Sequence, residues 1–167
     1  LATDGSEDGV YTITVIPINA SGRRGDQLSF TFFYDTVPPE VDLDTLQLIT
    51  SQTAQNALSE ISVVVRDEQP SSGIDWDEVD ESWIKLIRPD GKPVPGEATS
   101  DKAEKLIFKL EVPLATDGSQ DGRYKIVIAP KDKAGNVGGP VEYEFYYDTT
   151  PPVIDPSSLT INGKPLE

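Results

Sequence analysis

The sequence predicts an all-β chain built from β-sandwiches of about seven antiparallel strands, in tandem repeats of about 113 residues. Three observations carry this reading. The phrase LATDGSEDGVY at 1–11 returns as LATDGSQDGRY at 114–124, so that Leu1 recurs as Leu114. Short runs alternate apolar and polar residues with a period of two, the pattern of a half-buried strand. Between these runs lie clusters of Gly, Pro, Asp and Asn, and nothing reads as a long helix.

The match at this offset runs on without a gap. Tyr11 meets Tyr124, Ile13 meets Ile126, Pro17 meets Pro130, Gly22 meets Gly135, and YDTVPP at 34–39 meets YDTTPP at 147–152. Such a period is too long for a solenoid repeat and suits whole domains in tandem. The expected division is therefore the last strands of one repeat over 1–36, a complete repeat over 37–149, and a linker with the first strand of the next over 150–167.

Within the complete repeat, the strands are expected in order at 44–50, 60–66, 82–88, 93–98, 104–112, 123–130 and 140–148. The alternation is plain in Ile61, Val63, Val65; in Leu106, Phe108, Leu110; and in Tyr124, Ile126, Ile128. Turns are marked by PDGK at 89–92, PG at 95–96, DGSQDG at 117–122 and AGN at 134–136. DWDEVDESW at 75–83 has room for one helical turn at most.

Composition excludes several functions. There is no Cys, so no disulfide framework, and no His, so the usual zinc ligands and an imidazole base are missing. Fourteen basic against 29 acidic residues give a formal net charge of −15. That balance argues against a nucleic-acid or anionic-membrane partner, and no apolar run is long enough for a membrane span. Carboxylates are plentiful enough to offer a glycosidase-like pair, but none sits in a pocket-building context. The chain is read as non-catalytic.

DGxY before the sixth strand places Tyr124, and by repetition Tyr11, where a tyrosine corner ties the chain back to its own backbone. The pattern DGxYxIxVxPxDxAGN, an aromatic strand and YDTTPP together resemble the bacterial immunoglobulin-like repeats of large secreted and cell-surface proteins, relatives in shape of fibronectin type III and cadherin modules. The resemblance covers the whole chain as a repeat pattern and is weaker over 1–42, where NASGRR at 19–24 stands for DKAGNV. It implies an immunoglobulin-like β-sandwich, an extracellular or cell-surface place, and work as a stalk, adhesin or filament spacer. The neighbouring repeats are then the partners, and any surface receptor or glycan is unspecified.

Sandwich geometry brings the end of the first repeat, with Asp4, Asp8 and Asp35, against Asp42, the loop at 67–81 and Asp132 with Asn136. The loop holds seven acids and no base. Two readings stand for it: a solvated charge run, or a calcium site, since calcium takes six to eight oxygens from flexible loops. The candidate ligands are Asp35, Asp67, Glu68, Asp75, Asp77 and Asp132. Cadherin-like arrays stiffen their junctions with calcium, so the resemblance favours the second reading. DGSQDG mimics half an EF-hand loop, but its twelfth position is Ile128 rather than Glu, which leaves an Asx turn as the simpler account. Capping of a strand end is the plain alternative for Asp35 and Asp148.

Pro38 with Pro39, and Pro151 with Pro152, make semi-rigid linkers. Trp76 and Trp83 are read as packing residues, the alternative being a sugar-stacking platform of a carbohydrate- or ligand-binding accessory module of a secreted enzyme. The apolar faces of the partial repeats raise one more expectation, completion by other copies through strand addition.

Overall fold

The computed structural model describes residues 1–50, 57–155, 158, 160–161 and 164–165. Every sheet in it is antiparallel, and no described segment is an α-helix. The first unit is a hairpin of β1 (Gly9–Val15) and β2 (Leu28–Tyr34). Seven strands follow: β3 (Glu40–Thr50), β4 (Leu58–Arg66), β5 (Ile84–Ile87), β6 (Gly96–Ser100), β7 (Lys105–Leu110), β8 (Gly122–Ile128) and β9 (Val141–Tyr147). They form a four-stranded sheet in the order β3-β4-β7-β6 and a three-stranded sheet in the order β5-β8-β9.

The core lies between these two sheets. The expected alternation fixes which side chains enter it. Ile61, Val63 and Val65 of β4 and Leu106, Phe108 and Leu110 of β7 meet Ile84 and Leu86 of β5 and Tyr124, Ile126 and Ile128 of β8. Ile61, Ile84, Leu86, Leu106, Ile126 and Ile128 are wholly buried. Burying side chains of this size contributes about 1.5–3 kcal/mol each, which orders the strands that carry them. The short run β5 gains its order from this packing, whereas β6, of which only Ala98 packs against the core, is held by its pairing with β7.

Strand edges depart from the sequence reading where the alternation is interrupted. β3 begins at Glu40, not 44, because Glu40–Asp42 pair with Val64–Arg66 before the register slips between Asp42 and Gln47. Thr45 spans the slip: its hydroxyl donates to the Asp42 carbonyl (2.6 Å) and accepts from the Val64 N–H (2.8 Å). The fourth expected strand, at 93–98, is displaced to 96–100. Pro93 and Pro95 flank Val94, and neither proline carries an N–H for the ladder. Segment 75–83 forms turns without a helix. In 150–167, where one strand was expected, two-residue strands β10 (Thr160–Ile161) and β11 (Lys164–Pro165) pair with each other. The rest of that expectation lies at 156–157, 159, 162–163 and 166–167, outside the described residues.

Hairpins β1–β2 and β8–β9 share one register. Gly9 faces Tyr34 and Val15 faces Leu28, while Gly122 faces Tyr147 and Ile128 faces Val141, each pair related by the offset that carries Leu1 onto Leu114. Their aromatic geometry repeats as well. Tyr11 stacks on Phe32 at 5.8 Å and meets Tyr34 edge-on at 6.1 Å; Tyr124 stacks on Phe145 and meets Tyr147 at the same distances. The Tyr124 hydroxyl donates to the Gln120 carbonyl (2.9 Å), and that of Tyr11 to the Glu7 carbonyl (2.6 Å).

The segment between the units is held by close packing. Pro39 is buried, Pro38 exposed. Gly138 lies so near that a methyl group there would collide with the Pro39 carbonyl. Pro151 and Pro152 are exposed.

Tyr124→Phe removes a buried hydroxyl and strands its acceptor, so it is expected to cost about 1 kcal/mol in urea unfolding. Tyr11→Phe, whose bond is open to water, is expected to change the midpoint less.

Candidate functional site

The acids of this chain fall into two kinds, those that tie turns and those that crowd together. The repeated DGSxDG phrase belongs to the first kind. Asp117 accepts from the Ser119 N–H and hydroxyl (3.0 and 2.5 Å), an Asx turn. Asp121 accepts from the Thr149 N–H and hydroxyl (3.0 and 2.7 Å) and from the Thr150 hydroxyl (2.8 Å). These bonds hold the Asp117 and Asp121 carboxyls below their ordinary value, the Ser119 and Thr149 hydroxyl bonds foremost. Asp8 clasps Thr36 in the same way through its N–H and hydroxyl (both 2.9 Å). The phrase is thus a clasp joining the start of one strand to the end of its partner. Sequence reasoning saw the turn and missed the clasp, although the recurrence of Thr after YD, at Thr36 and Thr149, was its signal.

The second kind is a cluster of three. Asp35 stands just beyond β2, Asp67 just beyond β4, and Asp132 in the loop between β8 and β9. Carboxylate oxygens of all three lie within 4.8 Å of one another. Asp132 is wholly buried and Asp35 nearly so. Local backbone turns bring them together. Ser72 N–H donates to Asp35 (2.6 Å), Val37 N–H to its other oxygen (3.2 Å), and Gly73 N–H to Asp67 (3.1 Å). Asn136 gives Asp132 both its backbone N–H (2.8 Å) and its amide (2.7 Å), and the same amide reaches the Asp35 carbonyl (3.0 Å). Isolated bridging of Ile74 to Asp132, with Lys133 N–H on the Gly73 carbonyl (3.0 Å), fastens the two loops together.

This arrangement leaves a charge problem. None of the five ion pairs among the described residues involves Asp35, Asp67 or Asp132. The Oδ1 oxygen of Asp67 is buried with no hydrogen-bond donor among the described residues. Burial, then the charge of Asp35 and less strongly that of Asp132, push the Asp67 carboxyl above its ordinary 3.8, against the Gly73 N–H bond acting the other way; the Ser71 hydroxyl reaches only the Asp67 backbone carbonyl (3.4 Å). A buried acceptor with no donor, flanked by two further carboxylates, fits a hard divalent cation: oxygen ligands are what calcium takes.

Three of the six expected ligands therefore meet, and three do not. Glu68 is exposed beside Glu40, Asp42 and Arg66. Asp75 is half-buried, its N–H bonded to the Lys131 carbonyl (3.2 Å). Asp77 is exposed and paired with Lys102 at 2.9 Å. Asp148, which repeats Asp35, caps the Thr150 N–H (3.0 Å) and is exposed. Trp83 is buried in the core, and Trp76 packs against it at 6.3 Å. No family model and no curated protein matches the chain.

Asp67→Asn keeps the shape of the cluster and removes one charge. In excess chelator at pH 7 its thermal midpoint is expected to exceed that of the parent by a few degrees. The sign follows from linkage. A carboxyl raised in the folded state supports stability below 3.8 and loses that contribution as pH climbs through the raised value. The gap between variant and parent should accordingly close as pH falls toward 4. Midpoints measured across that range check it.

Proposed function

We propose that this chain is a structural spacer, a rod of immunoglobulin-like sandwich units with no catalytic role, whose inter-unit joint is set by a calcium ion held at Asp35, Asp67 and Asp132. The observation that carries the reading is the joint itself. Asp35 comes from the first hairpin, Asp67 and Asp132 come from the seven-stranded unit, and the three converge around an oxygen with no donor. A cation there would bind two successive units as one body. The resident chemistry is electrostatic: the ion supplies positive charge, and the loops held by Asn136, Ser72 and Gly73 keep the oxygens close.

The fold reading has its own support. A four-stranded sheet in the order first, second, fifth, fourth and a three-stranded sheet in the order third, sixth, seventh is the strand order of the constant-type immunoglobulin sandwich. Two hairpins in one register, a repeat period apart, support units in tandem. The net charge of −15 suits a surface that stays soluble and turns other copies away. No helix among the described residues is long and apolar enough to cross a membrane. A spacer of this kind belongs outside the cell or on its surface, where millimolar calcium meets sites with Kd about 10⁻⁴ to 10⁻³ M.

Thermal unfolding in calcium and in chelator tests the reading. At several-fold to tenfold Kd, calcium should add roughly 1 to 2 kcal/mol. The gain should vanish in Asp67→Asn and in Asp132→Asn. No gain, or a gain that survives both substitutions, contradicts the assignment.

A further inference from the structure

The loop that closes each hairpin is built twice on one plan and filled with different chemistry. Between β8 and β9, Asp132 N–H donates to the Asn136 carbonyl (3.1 Å), Gly135 N–H to the Asp132 carbonyl (3.2 Å), and Gly138 N–H to the Pro130 carbonyl (2.8 Å). Between β1 and β2, one period earlier, Asn19 N–H donates to the Arg23 carbonyl (3.0 Å), Gly22 N–H to the Asn19 carbonyl (2.9 Å), and Gly25 N–H to the Pro17 carbonyl (2.8 Å). An isolated bridge repeats too, Lys131 to Val137 and Ile18 to Arg24. So does a side-chain bond: Asp132 accepts from the Asn136 N–H (2.8 Å), and Asn19 from the Arg23 N–H (3.0 Å). All of these bonds lie inside one loop or the other, so a single backbone plan carries both. What changes is charge. Asn19 stands where Asp132 stands, and Arg23 where Asn136 stands. The first exchange removes one negative charge and the second adds one positive charge. The difference is the charge of a calcium ion.

We propose that this pair of positions decides what neutralises the joint: Asp with Asn calls for a divalent cation, and Asn with Arg supplies the positive charge from the chain itself. The loop at Asn19–Arg23 is then a binding site for a pair of carboxylates, of the kind Asp35 and Asp67 form, that takes no ion. This rests on the calcium reading of Asp35, Asp67 and Asp132, and adds to it which residues set the need for calcium. Geometry supports the exchange. The Asn136 side chain already reaches into the joint: its amide touches the Asp132 carboxylate (2.7 Å) and the Asp35 carbonyl (3.0 Å). An arginine there is longer, and its planar fork would reach the carboxylates of Asp35 and Asp67. An asparagine at 132 keeps the acceptor that the N–H at position 136 uses, as Asn19 does in its own loop, and offers an amide donor in place of the second carboxylate oxygen. The Oδ1 oxygen of Asp67, without a donor among the described residues, is an acceptor such a group can serve. Three carboxylates and an ion thus become two carboxylates, a guanidinium and an amide, and both sets carry one net negative charge.

The test moves the chemistry of the first loop into the joint of the full chain. Asp132→Asn combined with Asn136→Arg is compared with the parent and with Asp132→Asn alone, by thermal unfolding in excess chelator and in millimolar calcium. In chelator the double variant is expected to unfold a few degrees above both, and calcium is expected to leave its midpoint unmoved. The gain should disappear when Asp67→Asn is added, because the guanidinium then loses one carboxylate. Asn136→Gln in the Asp132→Asn background lengthens the side chain without charge and should give no gain. A double variant with no gain in chelator overturns the proposal, as does a gain that survives Asp67→Asn or is matched by Asn136→Gln. A double variant that does not fold overturns it as well, since the loop at Asn19–Arg23 holds both residues on the same backbone plan. The two readings fail separately. A parent indifferent to calcium contradicts the ion at the joint, whatever the double variant does. A calcium-responsive parent beside a double variant with no gain contradicts only the role given to positions 132 and 136.

Discussion

Three carboxylates with oxygens within 4.8 Å of one another, two of the residues buried, are the constraint on which the proposed joint between the hairpin and the seven-stranded unit depends. Asp35 can sit where it does because Ser72 and Val37 offer it backbone N–H groups, and Asp132 because Asn136 grips both its oxygens. Those bonds settle the orientation of each carboxylate without settling its charge. Backbone donors are neutral, and like charges at this separation in a partly desolvated place repel strongly. The loops after β4 and between β8 and β9 are locked to each other through Ile74 and Asp132, so they yield little. Relief must come from a proton, a cation, or separation of the units, and the proposed calcium ion is the one of these that strengthens the joint at neutral pH.

The clasp at Asp8 and Asp121 explains why the phrase recurs. Each hairpin must end at a defined place, because the residue one step before the clasped threonine is Asp35 in one unit and Asp148 in the other. Fixing Thr36 through Asp8 also fixes Asp35, and the tyrosine hydroxyl pins the opposite end of the turn. The repeated sequence is therefore part of the positioning of the joint, although it contributes no oxygen to the cluster. Close packing of Gly138 on Pro39 adds a steric limit on how far the linker moves.

Much of this was legible in the sequence because it depends on periodicity. Alternation in Ile61 to Val65, Leu106 to Leu110 and Tyr124 to Ile128 marks core faces directly, and the return of Leu1–Tyr11 at Leu114–Tyr124 announces the duplicated hairpin. The start of β3 was not legible, because the slip bridged by Thr45 breaks the period of two. Within the acidic loop, composition alone could not separate Asp67 from Asp75 and Asp77. Their difference is one of place: Asp67 follows directly on a buried strand and is drawn inward, whereas Asp77 lies where Lys102 can reach it. Charge density pointed to the loop at 67–81, and strand geometry brings only Asp67 of that loop to Asp35 and Asp132.

The most direct measurement is a calcium titration followed by amide resonances, reading Ser72 and Asn136, whose N–H groups donate to Asp35 and Asp132. The account predicts that both shift together and saturate at one ion per chain, and that neither moves in Asp67→Asn. Shifts confined to the exposed acids at 75–81, growing without saturation, would contradict it.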